Sequence, residues 1–259
     1  MDAFAPASVT AVFAPDQVES GSRGASVALE DGVTVSVEDA DETAVTVDGE
    51  PAGFEPVERV LDRLGVDAAV DVQPQVPLGA GFGASGAATL ATALAANELY
   101  DLALPRDGLV EHSHEAEVAA GTGLGDVFIQ NAGGLLYNVG DGRQRVETDE
   151  PVEYVSYGGL STADALADEE LMDQVREEGG AVLDALPDPP TIRAVIERSW
   201  PFARALDLPT DRVVDDVARV EEAGGAATMA MLGETVVAVD CEGVLANRTH
   251  VSTEGARLL

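Results

Sequence analysis

The sequence predicts a protein of mixed helices and strands, in one large or two modest domains. The chain has 259 residues, against roughly 150 for a typical single domain. Valine alternates with polar residues in the first fifty positions, whereas long helical patterns follow from residue 85 onward. With 46% apolar residues, the chain can bury a hydrophobic core and differs from a disordered acidic tail.

The first half of the chain alternates between strand and helix signals. Val33, Val35 and Val37 alternate with polar residues, as in a strand with one buried face. A second strand ends at an Asp48-Gly49 turn. The remaining patterns of this half predict a helix over 56–64, a short strand over 70–72, helices from Ser85 to about 100 and over 105–119, and a strand over 135–139.

A polar run separates the two halves. Residues 141–151, DGRQRVETDEP, end in proline and form a plausible hinge between domains. We therefore expect an N-terminal domain over 1–148 and a C-terminal domain over 149–259. The second half predicts a strand over 152–157, helices over 165–185, 190–204 and 210–222, and a strand over 236–240.

The charge balance excludes several classes of partner and chemistry. All 14 basic residues are arginine, and 48 acidic residues bring the net charge to −34. Such a surface repels nucleic acid and anionic membranes, so we expect no partner of either kind. The absence of lysine excludes Schiff-base catalysis and a Walker A loop. Acidity without lysine is typical of proteins adapted to a salt-rich cytoplasm, where salt screens self-repulsion.

The expected location is cytoplasmic. The single cysteine, Cys241, excludes an internal disulfide and is compatible with a reducing compartment. The chain shows no basic, then apolar, leader sequence at its start. The uncharged span 72–97 is too rich in proline, glycine and alanine to predict a membrane helix.

A glycine-rich loop that runs into a helix predicts a phosphate-binding site. Glycines let the backbone approach a ligand closely, and a helix N-terminus presents unpaired N–H groups with a positive dipole end. On a lysine-free chain, backbone N–H groups and a metal ion would hold a nucleotide. The expected nucleotide-binding residues are Gly79, Gly81, Gly83, Ala84, Ser85, Gly86 and Ala87.

Two alternatives stay open for this loop. It could be a packing turn without a ligand. Gly81, Gly83 and Gly86 also spell G-x-G-x-x-G, which would make the protein a nicotinamide-dependent oxidoreductase. That motif should directly follow an apolar strand, but prolines precede it here.

Two carboxylates are candidates for chemistry at a bound phosphate. Transfer of a phosphoryl group to an alcohol needs one carboxylate on the metal and one near the attacking hydroxyl. Glu117 lies at the end of a helix, and Asp126 ends the glycine-rich stretch GTGLGD over 121–126. A third small-residue loop, over 222–233, could let a ligand or another chain segment pack closely.

These three loops, in this order, resemble the motifs of the GHMP kinases, which include galactokinase, homoserine kinase, mevalonate kinase and phosphomevalonate kinase. PLGAGFGASGAA resembles the family's phosphate loop, residues 223–228 its C-terminal glycine motif, and APASVT over 5–10 its first motif. Within the family, HSHEAEV followed by GTGLGDVFIQNAGG looks most like the archaeal pantoate kinases. SGSRGA over 20–25 and AMLGETVVAV over 230–239 support that assignment.

The resemblance implies an α+β protein with the two-domain GHMP kinase fold. That fold pairs a ribosomal-protein-S5-like N-terminal domain with a ferredoxin-like C-terminal domain, and ATP and the acceptor bind between them. By position, Ser85 and Glu117 match the family's Mg²⁺ ligands, and Asp126 matches the carboxylate facing the acceptor hydroxyl. Glu115 is the alternative to Glu117. The implied substrates are ATP and pantoate, and a homodimer stays open.

The sequence departs from the family pattern in places that concern the acceptor. The first motif usually reads A-P-G-H, whereas Ala7 and Ser8 stand here, so any substrate role of the histidine is lost or moved. Some relatives use a lysine near the transferred phosphate; Arg23 or Arg143 could replace its charge. We further expect Ser22 and Arg23 to help hold the acceptor's carboxylate. Mevalonate, shikimate or homoserine stay open as alternative acceptors.

Overall fold

A computed structural model describes residues 1–15, 22–159 and 162–259 of the chain. It confirms the expected α+β class, with helices and two antiparallel-rich sheets in the described residues. The elements of the first half are β1 (Asp2–Pro15), β2 (Ser22–Asp39), β3 (Ala44–Val47), β4 (Glu50–Pro51), α1 (Glu55–Leu64), β5 (Ala68–Pro74), α2 (Ala84–Leu99), α3 (Arg106–Ala120), α4 (Asp126–Ala132), β6 (Leu135–Asn138) and β7 (Gln144–Val146).

The second half continues with a strand, four helices and a further group of strands. These elements are β8 (Pro151–Gly159), α5 (Thr162–Ala167), α6 (Glu169–Asp184), α7 (Ile192–Ala205), α8 (Asp211–Glu222), β9 (Ala226–Met229), β10 (Gly233–Val239), β11 (Asn247–His250) and β12 (Arg257–Leu258). No helix in the described part of the chain has the length and apolar character required to cross a membrane.

The first sheet carries the site. Its strands run in the order β12-β1-β2-β5-β3-β4, and β6 pairs with β2 and β7 with β6. The alternation at Val33, Val35 and Val37 is confirmed, because these side chains are fully buried while Thr34 and Ser36 are only partly so. Helix α2 lies between the sheet and helices α1 and α3, and its alanine-rich surface lets it pack closely on all of them.

The second sheet has the order β11-β8-β10-β9 and packs against α7 and α8. The chain passes from the first sheet to the second between β7 and β8, and its last strand, β12, returns to the first sheet to pair with β1. The division at residue 148 stays a prediction. Helix α6 packs on β1 from the other half of the chain, so the two sheets are joined by helices as well as by strands.

Two helix predictions need correction. The span 165–185, expected as one helix, is two, because Asp168 stops α5 and caps α6 by accepting hydrogen bonds from the N–H groups of Glu170 and Leu171. Helix α4 is not among the expected elements, since the GTGLGD pattern predicts only a loop. It begins at Asp126 directly after Gly125, whose φ of +154° places it in a region that favours glycine.

Candidate active site

The glycine-rich loop leads from β5 into the N-terminus of α2. Gly79, Gly81 and Gly83 all have positive φ, at +71°, +86° and +58°, so a side chain at these positions would strain the backbone. Helix α2 begins at Ala84, without a side-chain cap and without an acidic residue in its first turn. Among the described residues, no side chain caps its first N–H groups, which suits them to bind an anion.

The course of the chain after α2 opposes the dinucleotide alternative. A dinucleotide fingerprint lies between two parallel strands of one βαβ unit. Here α2 is followed by α3 and α4, and the next strand, β6, pairs antiparallel with β2 and β7. The parallel partner of β5 is β3, which precedes the loop in the chain. The loop is therefore a phosphate-loop candidate outside a βαβ unit.

The third small-residue loop meets the glycine-rich loop, but not through the residues expected. A Cβ added to Gly81 would lie 3.1 Å from Cα of Gly233 and 3.2 Å from Cβ of Ala230. The hydroxyl of Thr235 donates to the carbonyl of Ala80 at 2.7 Å. The contact with the glycine-rich loop is therefore made by residues 230–235, at the tip of the hairpin of β9 and β10.

The stretch 223–228, which resembles the C-terminal glycine motif, lies mostly at the opposite end of that hairpin. A Cβ on Gly225 would meet the carbonyl oxygen of Val239 and the side chains of Val220 and Cys241. This turn therefore serves helix-to-strand packing, and only the strand that follows it leads to the site.

Glu117 is held behind the glycine-rich loop by three hydroxyl groups. Ser85 and Thr89 donate to its Oε1 at 2.9 Å and 2.7 Å, and Thr122 donates to its Oε2 at 2.8 Å. The residue is only 3% exposed. Burial raises the pKa of this carboxyl, the three hydroxyls oppose the rise, and the negative charge of Asp126 adds to it.

The alternative ligand, Glu115, points elsewhere. It forms a salt bridge with Arg63 of α1 at the protein surface. Of the two glutamates, the structure thus brings Glu117 to Ser85.

Asp126 lies across a narrow gap from Glu117. A Cβ added to Gly123 would be 3.1 Å from Oε2 of Glu117 and 3.6 Å from Oδ2 of Asp126, so this glycine separates the two carboxylates. Thr10 of β1 donates to Oδ1 of Asp126 at 3.3 Å. Burial raises the pKa of Asp126, and hydrogen bonds from Thr10 and Ser8 oppose the rise.

A cleft of about 240 Å³ brings these groups together. Gly79, Gly81, Gly83, Ala84 and Ser85 line one side, and residues 122–126 line another. Gly86 and Ala87 lie deeper, in the buried part of α2. Residues 231–232 add apolar surface from the second half of the chain. The cleft therefore presents a helix N-terminus and a carboxylate to one shared space.

Ser22 and Arg23, expected to hold the acceptor's carboxylate together, point to different places. Ser22 lines the cleft. Arg23 follows it but turns to Asp184, to which it donates at 2.7 Å, and to the carbonyl of Val139. Ser20 and Gly21 of the SGSRGA motif lie outside the described residues.

Arg143 is the arginine that reaches the cleft. Its guanidinium carbon lies 3.4 Å from the ring centroid of Phe128, and both residues line the cleft. Burial lowers the pKa of Arg143, and Glu111 opposes this. The side chain stays cationic, because an arginine deprotonates only far above neutral pH.

The oxygen atoms of Ser85 and Glu117 suit a magnesium ion that is also bound by phosphate. Mg²⁺ prefers oxygen ligands and is commonly held by one or two carboxylates together with substrate phosphates. The described residues contain no group of three or more His, Cys, Asp and Glu side chains that could hold a metal alone. Ser85 and Glu117 thus fit an ion that arrives with a phosphate ligand.

The hydrogen bonds from hydroxyls to the two carboxylates are the part of the site that the sequence motifs do not indicate. Thr10 and Thr89 come from β1 and α2, far in sequence from the residues they contact. Their partners depend on how helices and strands pack, which a single sequence does not reveal. Thr10 and Thr122 could have been found, because Thr10 ends the APASVT motif and Thr122 stands inside the GTGLGD stretch.

Comparison with known proteins agrees with this geometry. The GHMP kinases N terminal domain family matches residues 54–134, which contain the glycine-rich loop, Glu117 and Asp126. The chain is 30% identical over 231 residues to a pantoate kinase of Thermococcus kodakarensis, covering 80% of this chain and 76% of that protein. It is 25% identical over 251 residues to a pantoate kinase of Methanocaldococcus jannaschii, covering 91% of each.

A solved structure described as a phosphotransferase related to the CoA biosynthesis pathway superimposes on the chain with a TM-score of 0.85. The two sequences are 26% identical, and the match covers 100% of this chain and 98% of the other. The resemblance that the sequence motifs indicated is confirmed, and the chain belongs to the GHMP kinase family.

Proposed function

We propose that the protein transfers the γ-phosphoryl group of ATP to the primary hydroxyl of pantoate, giving 4-phosphopantoate for coenzyme A biosynthesis. The observation that carries the proposal is the placement of Ser85 and Asp126 in one cleft, with Glu117 directly behind Ser85. The pantoate kinases that resemble this chain over most of its length support pantoate as acceptor.

In this proposal, ATP binds with its phosphates at the start of α2. The free N–H groups and positive dipole end of that helix attract phosphate oxygens. Ser85 and Glu117 would hold Mg²⁺. A bound Mg²⁺ would neutralise part of the negative charge of the phosphates. The positive φ at Gly81 and Gly83 gives the loop a backbone path that residues with a side chain adopt only with strain.

Asp126 receives the proton of the attacking hydroxyl. As the acceptor oxygen bonds to the γ-phosphorus, the bond from phosphorus to the bridging oxygen of ADP breaks, and the hydroxyl proton passes to a carboxylate oxygen of Asp126. Burial raises the pKa of Asp126. This shift makes the carboxylate a stronger base than an exposed aspartate.

Arg143 is our candidate for the acceptor's carboxylate. Pantoate carries a carboxylate that a strongly acidic protein would otherwise repel, and a planar guanidinium can bind it with two parallel hydrogen bonds. The stack on Phe128 fixes the guanidinium at the cleft wall. The salt bridge of Arg23 to Asp184 makes Arg23 a weaker candidate than the sequence indicated.

A panel of acceptors tests the proposal. Labelled ATP is supplied with pantoate, mevalonate, shikimate or homoserine at high KCl, because the net charge of −34 supports adaptation to salt. We expect labelled product with pantoate and a rate at least tenfold lower with the other acceptors. Equal or faster transfer to another acceptor would replace pantoate as the substrate.

Nucleotide-dependent melting separates the kinase from the oxidoreductase alternative. Mg-ATP should raise the melting temperature, because a ligand of the folded state stabilises that state. NAD at the same concentration should leave it unchanged. Stabilisation by NAD and not by Mg-ATP would contradict the proposed kinase.

A further inference from the structure

A fully buried amide ties helix α4 to the glycine-rich loop. Gln130 lies one helical turn after Asp126, and its Nε2 donates to the carbonyl of Gly83 at 2.6 Å and to Oγ of Ser8 at 3.2 Å. The carbonyl of Gly83 can only accept a hydrogen bond, so the orientation of the amide is fixed. Its Oε1 is buried and has no hydrogen-bond partner among the described residues.

Ser8 completes the link from the side of β1. It is 1% exposed, and its backbone N–H donates to the carbonyl of Phe82 at 2.9 Å. Its hydroxyl accepts from Gln130 and lies close enough to Asp126 to oppose the rise in the pKa of that carboxyl. Ser8 therefore holds the loop through its backbone and contacts α4 through its side chain.

The absence of a side chain at Gly83 makes this convergence possible. A Cβ there would lie 2.5 Å from Oγ of Ser8, 2.8 Å from Nε2 of Gln130 and 3.2 Å from Cβ of Asp126. Three separate elements, the loop, β1 and α4, thus meet at one point beside the first turn of α2. The loop cannot shift at Gly83 without breaking a buried hydrogen bond.

We propose that Ser8 and Gln130 are a positioning pair that fixes the phosphate loop relative to Asp126. This inference rests on the proposed function. Phosphoryl transfer requires the acceptor oxygen, the phosphorus and the leaving oxygen to lie in line, and a displacement of about 1 Å can cost roughly 100-fold in rate. The donor phosphates are held by the loop and the acceptor proton by Asp126, so the link sets the distance between them.

The pair acts through other residues and not on the substrates. Both side chains are at most 1% exposed, so neither can contact ATP or the acceptor. Loss of the link should therefore slow the transfer step while leaving substrate binding almost unchanged. Such a split between kcat and KM distinguishes positioning from a general loss of folded enzyme.

The test uses Ser8→Ala, Gln130→Met and the double variant. Each single change should lower kcat about 10- to 100-fold, with KM for Mg-ATP and for the acceptor changed less than about threefold. The double variant should be no slower than Gln130→Met alone, because the hydrogen bond lost in Ser8→Ala is among those that Gln130→Met also removes. Ser199→Ala is the matched control, since Ser199 is also fully buried and donates to a carbonyl, but within α7.

Active-site titration with Mg-ATP gives kcat per folded molecule, so a partly unfolded variant is not counted as slow. If Gln130→Met does not fold, the kcat and KM of Ser8→Ala decide the question. Wild-type kcat in Ser8→Ala, or multiplicative effects in the double variant, would refute the positioning pair. A wild-type enzyme inactive on every acceptor would instead refute the proposed function, and the inference would fall with it.

Discussion

Two buried glutamates, Glu117 and Glu153, show how similar side chains serve different purposes in this molecule. Each is 3% exposed and each has its charge met by several hydrogen bonds. Glu117 accepts from three side-chain hydroxyls beside the cleft. Glu153, on β8 of the second sheet, accepts from the backbone N–H groups of Gly243, Val244 and Leu245.

The balance between burial and hydrogen bonding explains the opposite pKa shifts. For Glu117, burial outweighs the hydroxyls and the pKa rises. For Glu153, burial also raises the pKa, but hydrogen bonds from the N–H groups of residues 243–245 outweigh it and hold the pKa below its usual range. Hydroxyls can rotate away to let a carboxylate bind a ligand, whereas backbone N–H groups are fixed. Glu153 thus anchors a loop, whereas the carboxylate of Glu117 can exchange its hydroxyl partners for a ligand.

The largest expected effect concerns the carboxylate that faces the cleft. Asp126→Asn should lower kcat roughly 10²–10⁴-fold with little change in Mg-ATP binding, because the amide cannot accept the proton. Asp107→Asn is the matched control, since Asp107 also stands in the first turn of a helix but is exposed. An Asp126→Asn enzyme as active as the control would remove Asp126 from the mechanism.

The two glutamates should differ next in activity. Glu117→Gln should lower kcat or weaken Mg-ATP binding by about 10²–10³-fold in total, since it removes a charge beside the phosphates. Glu153→Gln should change kcat/KM less than about threefold, because the loop that Glu153 anchors does not line the cleft. Steady-state kinetics with varied Mg²⁺ measures both, and equal losses would erase the distinction between the sites.

Stability should change in opposite directions. The lowered pKa means that ionised Glu153 stabilises the folded state above the usual pKa of a glutamate and loses this effect as pH falls through the lowered value. Glu153→Gln should therefore cost about 1–3 kcal/mol of unfolding free energy at pH 8, and less in acid. The raised pKa of Glu117 means that its ionisation opposes folding as pH rises above 4.5.

Glu117→Gln should accordingly raise the unfolding free energy at pH 8 and change it little near pH 4. Urea unfolding in the presence of a chelator, at both pH values, measures the two variants without bound metal. A loss of stability at pH 8 in both variants would show that the hydroxyl cluster around Glu117 stabilises its charge as well as backbone N–H groups do.

The sequence predicted the local parts of the site better than its surroundings. The helix from Ser85 and the positions of Glu117 and Asp126 follow from motifs of glycine and short helical patterns, which depend on neighbouring residues. Ser8 and Gln130 contact Gly83 across sequence separations of more than forty residues, and no local pattern marks such contacts. The turn at Gly225 shows the same limit. Its glycines match the family motif in sequence, but the contact with the glycine-rich loop is made further along the hairpin, at Ala230 and Gly233.

The smallest expected effect tests whether the hydroxyls around Glu117 matter one by one. Thr89 and Thr92 lie one turn apart on α2 and are both fully buried, but Thr89 donates to Glu117 whereas the hydroxyl of Thr92 has no partner among the described residues. Thr89→Val should lower kcat/KM about three- to tenfold, within the roughly 0.5–1.5 kcal/mol of one ordinary hydrogen bond, because Ser85 and Thr122 still donate to Glu117. Thr92→Val should be neutral or slightly stabilising, because it removes an unsatisfied polar atom. Equal kinetics in the two valine variants would mean that Ser85 and Thr122 hold Glu117 without help from Thr89.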